Sequence, residues 1–410
     1  MVEVRTRVRR ARDMQQNIYN VRYICISVTL LKWLRYLTDI STMEIRIGGG
    51  DLLGPALPKV RDALIKALYE ATEYPYTNTS YPPGEGVPQL REAVAEYYRK
   101  RWHIEYESSQ VVVTCGAWQG VAATMNALLK PGDEVLITDP GYVDYYNSAR
   151  DINVKAVPVP CRKEKWHFYP EDFKKAVTDK TRMFIHSNPS NPTGSSMTKE
   201  EWEAVEDVAE ERDLLVLSDE IYKEIVYDGK DAILPAQFKG LKERTIATCS
   251  LSKISNGPGF RVGLLLIPEE LYPKIMKYII VYMGRARPAT FVQLGAVAAY
   301  TEPRNHVKEI REEYEKRRDF IVPRLNEIEG LSCPMYEGSI YPFVDITQLG
   351  IKTADFVKEL RQKEKVSVRD GESMGVNLSK GKLRLCVREP VPVLEEACDR
   401  MERFVKSLKK

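Results

Sequence analysis

Between Gln110 and Ile267 seven short apolar runs alternate with helix-patterned stretches, and no other feature limits the possible folds of this chain so tightly. The runs are Gln110–Thr114, Glu134–Thr138, Val154–Val159, Arg182–His186, Leu214–Ser218, Thr245–Cys249 and Val262–Ile267. The intervening segments, such as Gln119–Leu129, Tyr142–Arg150, Pro170–Val177 and Lys199–Glu211, carry apolar residues at helical spacing. Alternation of this kind predicts an α/β fold: a mostly parallel seven-stranded sheet flanked by helices on both faces. Ligands of such sheets sit outside the carboxyl ends of the strands. Two further helices are predicted ahead of the sheet, one opened by Pro58 and one over Val87–Trp102. Behind it, a long charged helix over Pro303–Ile328 leads to a smaller α+β domain ending in Leu383–Val387 and a helix over Val393–Leu408. The predicted division is an N-terminal extension and arm over 1–51, counted with the small domain, a large domain over 52–300 and a small domain over 301–410.

Composition narrows the function. A chain of 410 residues can bury a large core, and its formal net charge of +3 is too small to imply nucleic-acid binding by electrostatics. Seven scattered cysteines without a CxxC pair predict reduced thiols and a cytoplasmic protein, and four histidines without HExxH spacing give no metal site. The apolar run Ile24–Leu31 is bracketed by Arg22, Lys32 and Arg35 and is far too short to span a membrane. No small-residue cleavage site follows it, so a secretory signal is not expected. An amphipathic helix is predicted around Val28–Leu37.

The turns that end the strands hold the candidate chemistry. Cys115-Gly116-Ala117-Trp118 opens a helix, where backbone N–H groups bind phosphate and glycine permits close approach. Asp139-Pro140-Gly141-Tyr142 offers either a surface aromatic or a platform for a flat ring. Asn188-Pro189-Ser190-Asn191-Pro192-Thr193-Gly194 has turn composition in an order that a turn alone does not require. Ser218-Asp219-Glu220-Ile221-Tyr222 closes a buried strand on an aspartate, suited either to capping or to pairing with a protonated ring nitrogen. Ile47-Gly48-Gly49-Gly50 fits neither GxGxxG nor a P-loop. Ser250-Leu251-Ser252-Lys253 lies in a polar, Gly/Pro-punctuated loop between two buried strands. Lys253 is there either a solvated loop lysine or a Schiff-base lysine that condenses with an aldehyde cofactor.

Taken in order, Asn191-Pro192-Thr193-Gly194, Ser218-Asp219-Glu220-Ile221-Tyr222 and Ser250-x-Ser252-Lys253 with Arg261 eight positions on resemble the class I and II aminotransferases. These are pyridoxal-phosphate enzymes of fold type I, of the aspartate, tyrosine and alanine aminotransferase kind. The segment Tyr81–Ala93 resembles the family too, and the likeness runs from about Ile47 to Arg400. The resemblance implies pyridoxal 5'-phosphate held through a Schiff base to Lys253, which then carries the proton between the substrate Cα and the cofactor. It implies Asp219 against the pyridine nitrogen, with Asn191 and Tyr222 on the phenolic oxygen and Tyr142 stacked on the ring. Gly116, Ala117, Trp118, Ser250 and Arg261 fall where the family holds the phosphate. Arg384 and Asn191 fall where it grips the substrate α-carboxylate, with Gly49 beside them. The resemblance further implies an amino acid and a 2-oxo acid as substrates, and a homodimer in which Tyr81 reaches the neighbouring subunit's phosphate.

Departures bear on specificity. Trp118 stands where many bacterial-type aspartate aminotransferases carry lysine, and it cannot supply that charge, which favours aromatic or aliphatic amino acids over aspartate. Arg285 and Arg287 lie near a position that dicarboxylate-specific relatives use, and surface or phosphate contact explains them equally well. A C–S lyase or an aminocyclopropane-carboxylate-synthase-like enzyme would share the fold. A transcription regulator built on it would need a DNA-binding domain, for which the 43 residues ahead of Glu44 are too few.

Overall fold

The computed structural model describes residues 43–50, 52, 56–70, 80–284, 286–301 and 305–408. The helix expected around Val28–Leu37 lies outside the described residues. The central sheet has seven strands: β1 (Val111–Cys115), β2 (Glu134–Asp139), β3 (Lys155–Pro160), β4 (Thr181–Ser187), β5 (Leu215–Asp219), β6 (Thr245–Ser250) and β7 (Val262–Leu266). Their order is β1-β7-β6-β5-β4-β2-β3, and only β7 runs antiparallel to its neighbours. Each strand lies within one or two residues of its sequence-predicted run.

The chain's helices include α1 (Pro58–Glu70), α2 (Pro88–Trp102), α3 (Ala117–Leu128), α4 (Val143–Asp151), α5 (Lys199–Arg212), α6 (Asn305–Asn326), α7 (Thr353–Glu364) and α8 (Val391–Ser407). Their ends follow local chemistry. Pro88 starts α2 at its first turn and His103 closes it in the left-handed conformation. For α5, Thr198 accepts from the Glu201 N–H at 3.2 Å while Glu201 accepts from the Thr198 N–H at 2.8 Å, a reciprocal capping box.

Side chains alternate across the sheet. Val111, Val113, Leu264 and Leu266 pack on one face with Leu90, Val94, Tyr98 and Trp102 of α2. Val112, Ile137, Met183, Ile185, Leu217 and Leu265 pack on the other with Val121 and Met125 of α3. Leu136, Phe184 and Val216 form a third cluster with Trp202 and Val205 of α5. Each fully buried Phe or Leu among them stabilises the fold by ~1.5–3 kcal/mol. A sheet covered on both faces leaves only its strand ends accessible. Among the described residues no helix is long and apolar enough to cross a membrane.

The C-terminal third adds a three-stranded antiparallel sheet, in the order β9-β10-β8, from β8 (Phe343–Asp345), β9 (Arg369–Asp370) and β10 (Lys382–Arg384). Several hydrogen bonds join this region to the turns of the central sheet. The buried Asp139 carboxylate accepts from the N–H groups of Val376 and Asn377 at 3.0 and 2.9 Å, and Gly141 donates to the Met374 carbonyl at 2.7 Å. His167 lies between two carboxylates, with Nδ1 2.9 Å from Glu201 and Nε2 2.9 Å from Glu337.

Burial opposes protonation of His167, but the hydrogen bonds and charges of Glu201 and Glu337 outweigh it and raise its pKa from 6.5 to about 9. A raised histidine pKa stabilises the fold fully below the unfolded value near 6.5, and that contribution is lost as pH rises through about 9. The unfolding temperature is therefore expected to fall between pH 6.5 and 9.5, and His167→Gln should flatten that slope. Equal slopes for the two proteins in scanning calorimetry would contradict the assignment.

Candidate functional site

A cavity of about 440 Å³ opens at the carboxyl ends of the strands. The parallel register puts those ends level, with Ser187 of β4 opposite Asp219 of β5 and Asp219 opposite Thr248 of β6. Gly49, Ala117, Trp118, Tyr142, Asn191, Asp219, Tyr222, Lys253, Arg261 and Arg384 all line this one cavity. Three predicted residues do not line it. Gly116 lies behind Arg261, Ser250 is buried with its hydroxyl accepting from the Ser252 N–H at 3.1 Å, and Tyr81 is fully exposed. Arg287 donates to the carbonyls of Ala286 and Gly84, and Arg285 lies outside the described residues.

Lys253 does not sit in an irregular loop. Ser250 caps a four-residue helical turn over Leu251–Ile254, and a 3-10 turn over Pro258–Phe260 follows. The turn buries the lysine stem and carries its amine to the Gly50 carbonyl. The amine also stands 5.7 Å over the Tyr222 ring. Arg261 follows in the left-handed region at φ 56° and donates to the Pro258 carbonyl at 3.0 Å.

Two glycines set the wall beside Arg261. Gly116 has φ 80°, and a Cβ there would come 2.4 Å from the Arg261 guanidinium. A Cβ on Gly263 would come 2.2 Å from the Gly116 carbonyl carbon. Only chains without side chains at both positions let the arginine lie against the start of α3.

At the end of β5, Asp219 accepts from the Tyr145 hydroxyl at 2.7 Å and from the Ile221 N–H at 3.2 Å. Both donors are neutral. Burial disfavours the carboxylate more than these bonds favour it, and its pKa is pushed up from 3.8 to about 6. Tyr145 escaped the sequence reading, although it lies three residues after Tyr142 at helical spacing. Trp118 and Tyr145 stack at 6.2 Å, and Tyr142 meets both edge-on at 5.9 and 5.3 Å. Burial and the neighbouring Asp144 carboxylate raise the Tyr142 pKa.

The opposite wall comes from the C-terminal third and the glycine segment. Arg384 of β10 donates to Asn191 Oδ1 at 3.0 Å and to the Gly48 carbonyl at 3.2 Å. Its guanidinium carbon lies 4.3 Å over the Tyr341 ring, and its Nε is buried without a hydrogen-bond partner. Tyr341 shares a 2.7 Å hydrogen bond with Tyr222, whose phenol burial pushes up. Tyr341, Arg369 and Met374 line the cavity and were not singled out in the sequence, because no strand-end motif marks them. A buried amine, a buried carboxylate with neutral donors, and arginines at both ends suit a zwitterionic substrate beside a flat, phosphate-bearing group.

The family model for aminotransferase class I and II matches residues 42–401. The aspartate aminotransferase of Bacillus subtilis (strain 168) is 33% identical over 378 residues, covering 88% of this chain and 93% of that protein. Aromatic-amino-acid aminotransferase 2 of Thermococcus litoralis is 36% identical over 335 residues, 81% of this chain and 85% of that one. Among solved structures, the aromatic aminotransferase of Pyrococcus horikoshii OT3 superposes with a TM-score of 0.83 at 33% identity, covering 89% of this chain and 96% of that chain.

The raised Asp219 pKa carries a stability consequence. The folded state binds this proton more tightly than the unfolded chain does, so stability falls as pH rises from 3.8 to about 6. Above that window the buried charge costs on the order of 3 kcal/mol. Asp219→Asn is expected to raise the unfolding temperature of the cofactor-free protein at pH 8, with the gain vanishing near pH 4. A variant less stable than its parent at pH 8 would show that the carboxylate is adequately solvated by its partners.

Proposed function

The chain belongs to the class I and II aminotransferase family and is an aminotransferase, and we propose that it works with pyridoxal 5'-phosphate bound in the cavity around Lys253. The single observation that carries this reading is the joint placement of Lys253, Asp219, Arg261 and Arg384 in one cavity. The residues fit the cofactor. Asp219 is a buried carboxylate with only neutral donors, suited to a protonated ring nitrogen, and Lys253 offers a primary amine. The gap left by the missing Gly116 Cβ holds the Arg261 guanidinium at the start of α3, as a phosphate site requires.

When bound, the cofactor supplies an electron sink for the charge left at the substrate Cα. The chain's own residues do the rest. Lys253 removes and returns the Cα proton, and its free amine acts as a base only while it is neutral. Asp219 holds a proton on the ring nitrogen. Tyr222 and Asn191 donate to the phenolic oxygen, the Asn191 amide having its Oδ1 engaged by Arg384. Tyr142 stacks on the ring, backed by Trp118 and Tyr145. Gly116, Ala117, Trp118 and Ser250 shape the phosphate pocket around Arg261. Arg384 grips the α-carboxylate in a forked pair, beside Gly49. An L-amino acid gives up its amino group, and a 2-oxo acid then accepts it.

Residues 52–300 act as the large domain and 301–410, with the N-terminal arm, as the small one. The protein works in the cytoplasm as a homodimer. A fully exposed Tyr81, outside its own chain's cavity, supports a site completed by the partner's Tyr81.

Two experiments test this reading. Borohydride reduction of the loaded protein should fix the pyridoxyl group on Lys253, and a label on any other lysine would refute the assignment. For the shared site, Tyr81→Ala and Lys253→Ala are each expected to be poorly active. Unfolded and refolded together, they should form hybrid dimers with one intact site, and activity should rise well above either parent. A mixture that stays at the parents' average would show that Tyr81 serves its own chain.

A further inference from the structure

Arg369 joins Arg384 on the cavity wall, and the functional reading above leaves it without a task. The two are register partners across the antiparallel ladder of β9 and β10, so their side chains leave the same face. Both line the cavity. Like charges directly opposite one another weaken a ladder unless an anion lies between them.

Among the described residues the protein supplies no such anion. Arg384 is almost fully buried, donates only to the neutral oxygens of Asn191 and Gly48, and leaves Nε unpartnered. Among the described residues the Arg369 guanidinium has no carboxylate partner. The two acidic side chains on the cavity wall are otherwise engaged. Asp219 takes the Tyr145 hydroxyl and the Ile221 N–H, and Asp144 lies beside the Tyr142 phenol, whose pKa it raises. Arg369 is also held close to the glycine segment, because a Cβ on Gly48 would come 2.9 Å from its backbone nitrogen.

We propose that Arg369 is a second substrate-binding arginine, which closes with Arg384 on the one α-carboxylate of every amino acid and 2-oxo acid the enzyme takes. A carboxylate has about four lone-pair sites and can accept two forked donors at once. The neighbouring origin of the two side chains on one ladder favours a shared carboxylate over a second one on the substrate's side chain. This inference rests on the assignment of Arg384 to the α-carboxylate.

The test compares Arg369→Gln and Arg369→Lys with the unmodified holoenzyme. Half-reactions are followed with alanine, phenylalanine, glutamate and the decarboxylated amine phenethylamine, and binding of the unreactive 3-phenylpropionate is measured by calorimetry. Arg369→Gln should raise KM for all three amino acids, and Kd for 3-phenylpropionate, by about ten- to a hundredfold, as expected for a lost charge-assisted hydrogen bond. Reaction with phenethylamine should be unchanged, and Arg369→Lys should restore part of the loss. A loss confined to glutamate would overturn the proposal by assigning Arg369 to a side-chain carboxylate. An equal loss with phenethylamine would make its role structural, and no loss at all would make it a surface arginine. If no amino acid reacts with the unmodified protein while 3-phenylpropionate still binds through Arg369, the transamination reading falls and the two-arginine site stands.

Discussion

Everything at the site depends on parallel strands ending at one level. Register pairs Ser187 with Asp219 and Asp219 with Thr248, so three consecutive turns leave the sheet side by side. Residues far apart in sequence therefore meet without any long-range device beyond backbone hydrogen bonding. The two buried faces cannot admit a polar ligand, and the strand ends can, because their backbone groups are not all taken up by the ladder. β7 is the exception that makes the lysine possible. Its reversal beside β6 lets the chain turn back at once, and Lys253 and Arg261 are both held within that reversal.

The cavity wall carries charges of both signs. Asp219 is buried with neutral partners only, and burial raises its pKa to about 6. The same burial lowers fold stability at neutral pH, so a buried carboxylate available to a ligand comes at the expense of the fold. The guanidinium groups of Arg384 and Arg369 have neutral or no protein partners among the described residues, and so suit anions that arrive with ligands. The aromatic trio of Trp118, Tyr142 and Tyr145 lies beside Asp219, and its stacked and edge-to-face contacts hold the three rings in place.

Sequence and structure agree best where several residues obey one rule. Seven strands were legible because each is a short, nearly continuous apolar run between helix-patterned stretches, and the strand-end turns were legible because Gly, Pro and Asn recur there in a characteristic order. The helical turn under Lys253 spans four residues, too few to show periodicity, and so read as an irregular loop. The wall from Tyr341, Arg369 and Met374 was invisible for a related reason. It hangs on strands of two or three residues whose pairing joins positions 343–345 to 382–384 and 369–370 to 383–384. Nothing local to Arg369 distinguishes it from a solvated arginine. Its role emerges only from its register partner.

The paired absence of side chains at Gly116 and Gly263 has a consequence for how such a site can diversify. There the floor behind Arg261 is a single layer of backbone pressed against β7, and an added methyl group on either glycine meets atoms at 2.4 Å or less. That floor offers no side chain to exchange, so its shape is inherited with the sheet. The facing wall is made of ordinary side chains on and beside short strands outside the central sheet, where a residue such as Met374 can be swapped without disturbing a long ladder. One part of the pocket is thus a fixed mould, and changes of substrate preference fall to the exchangeable side chains around it.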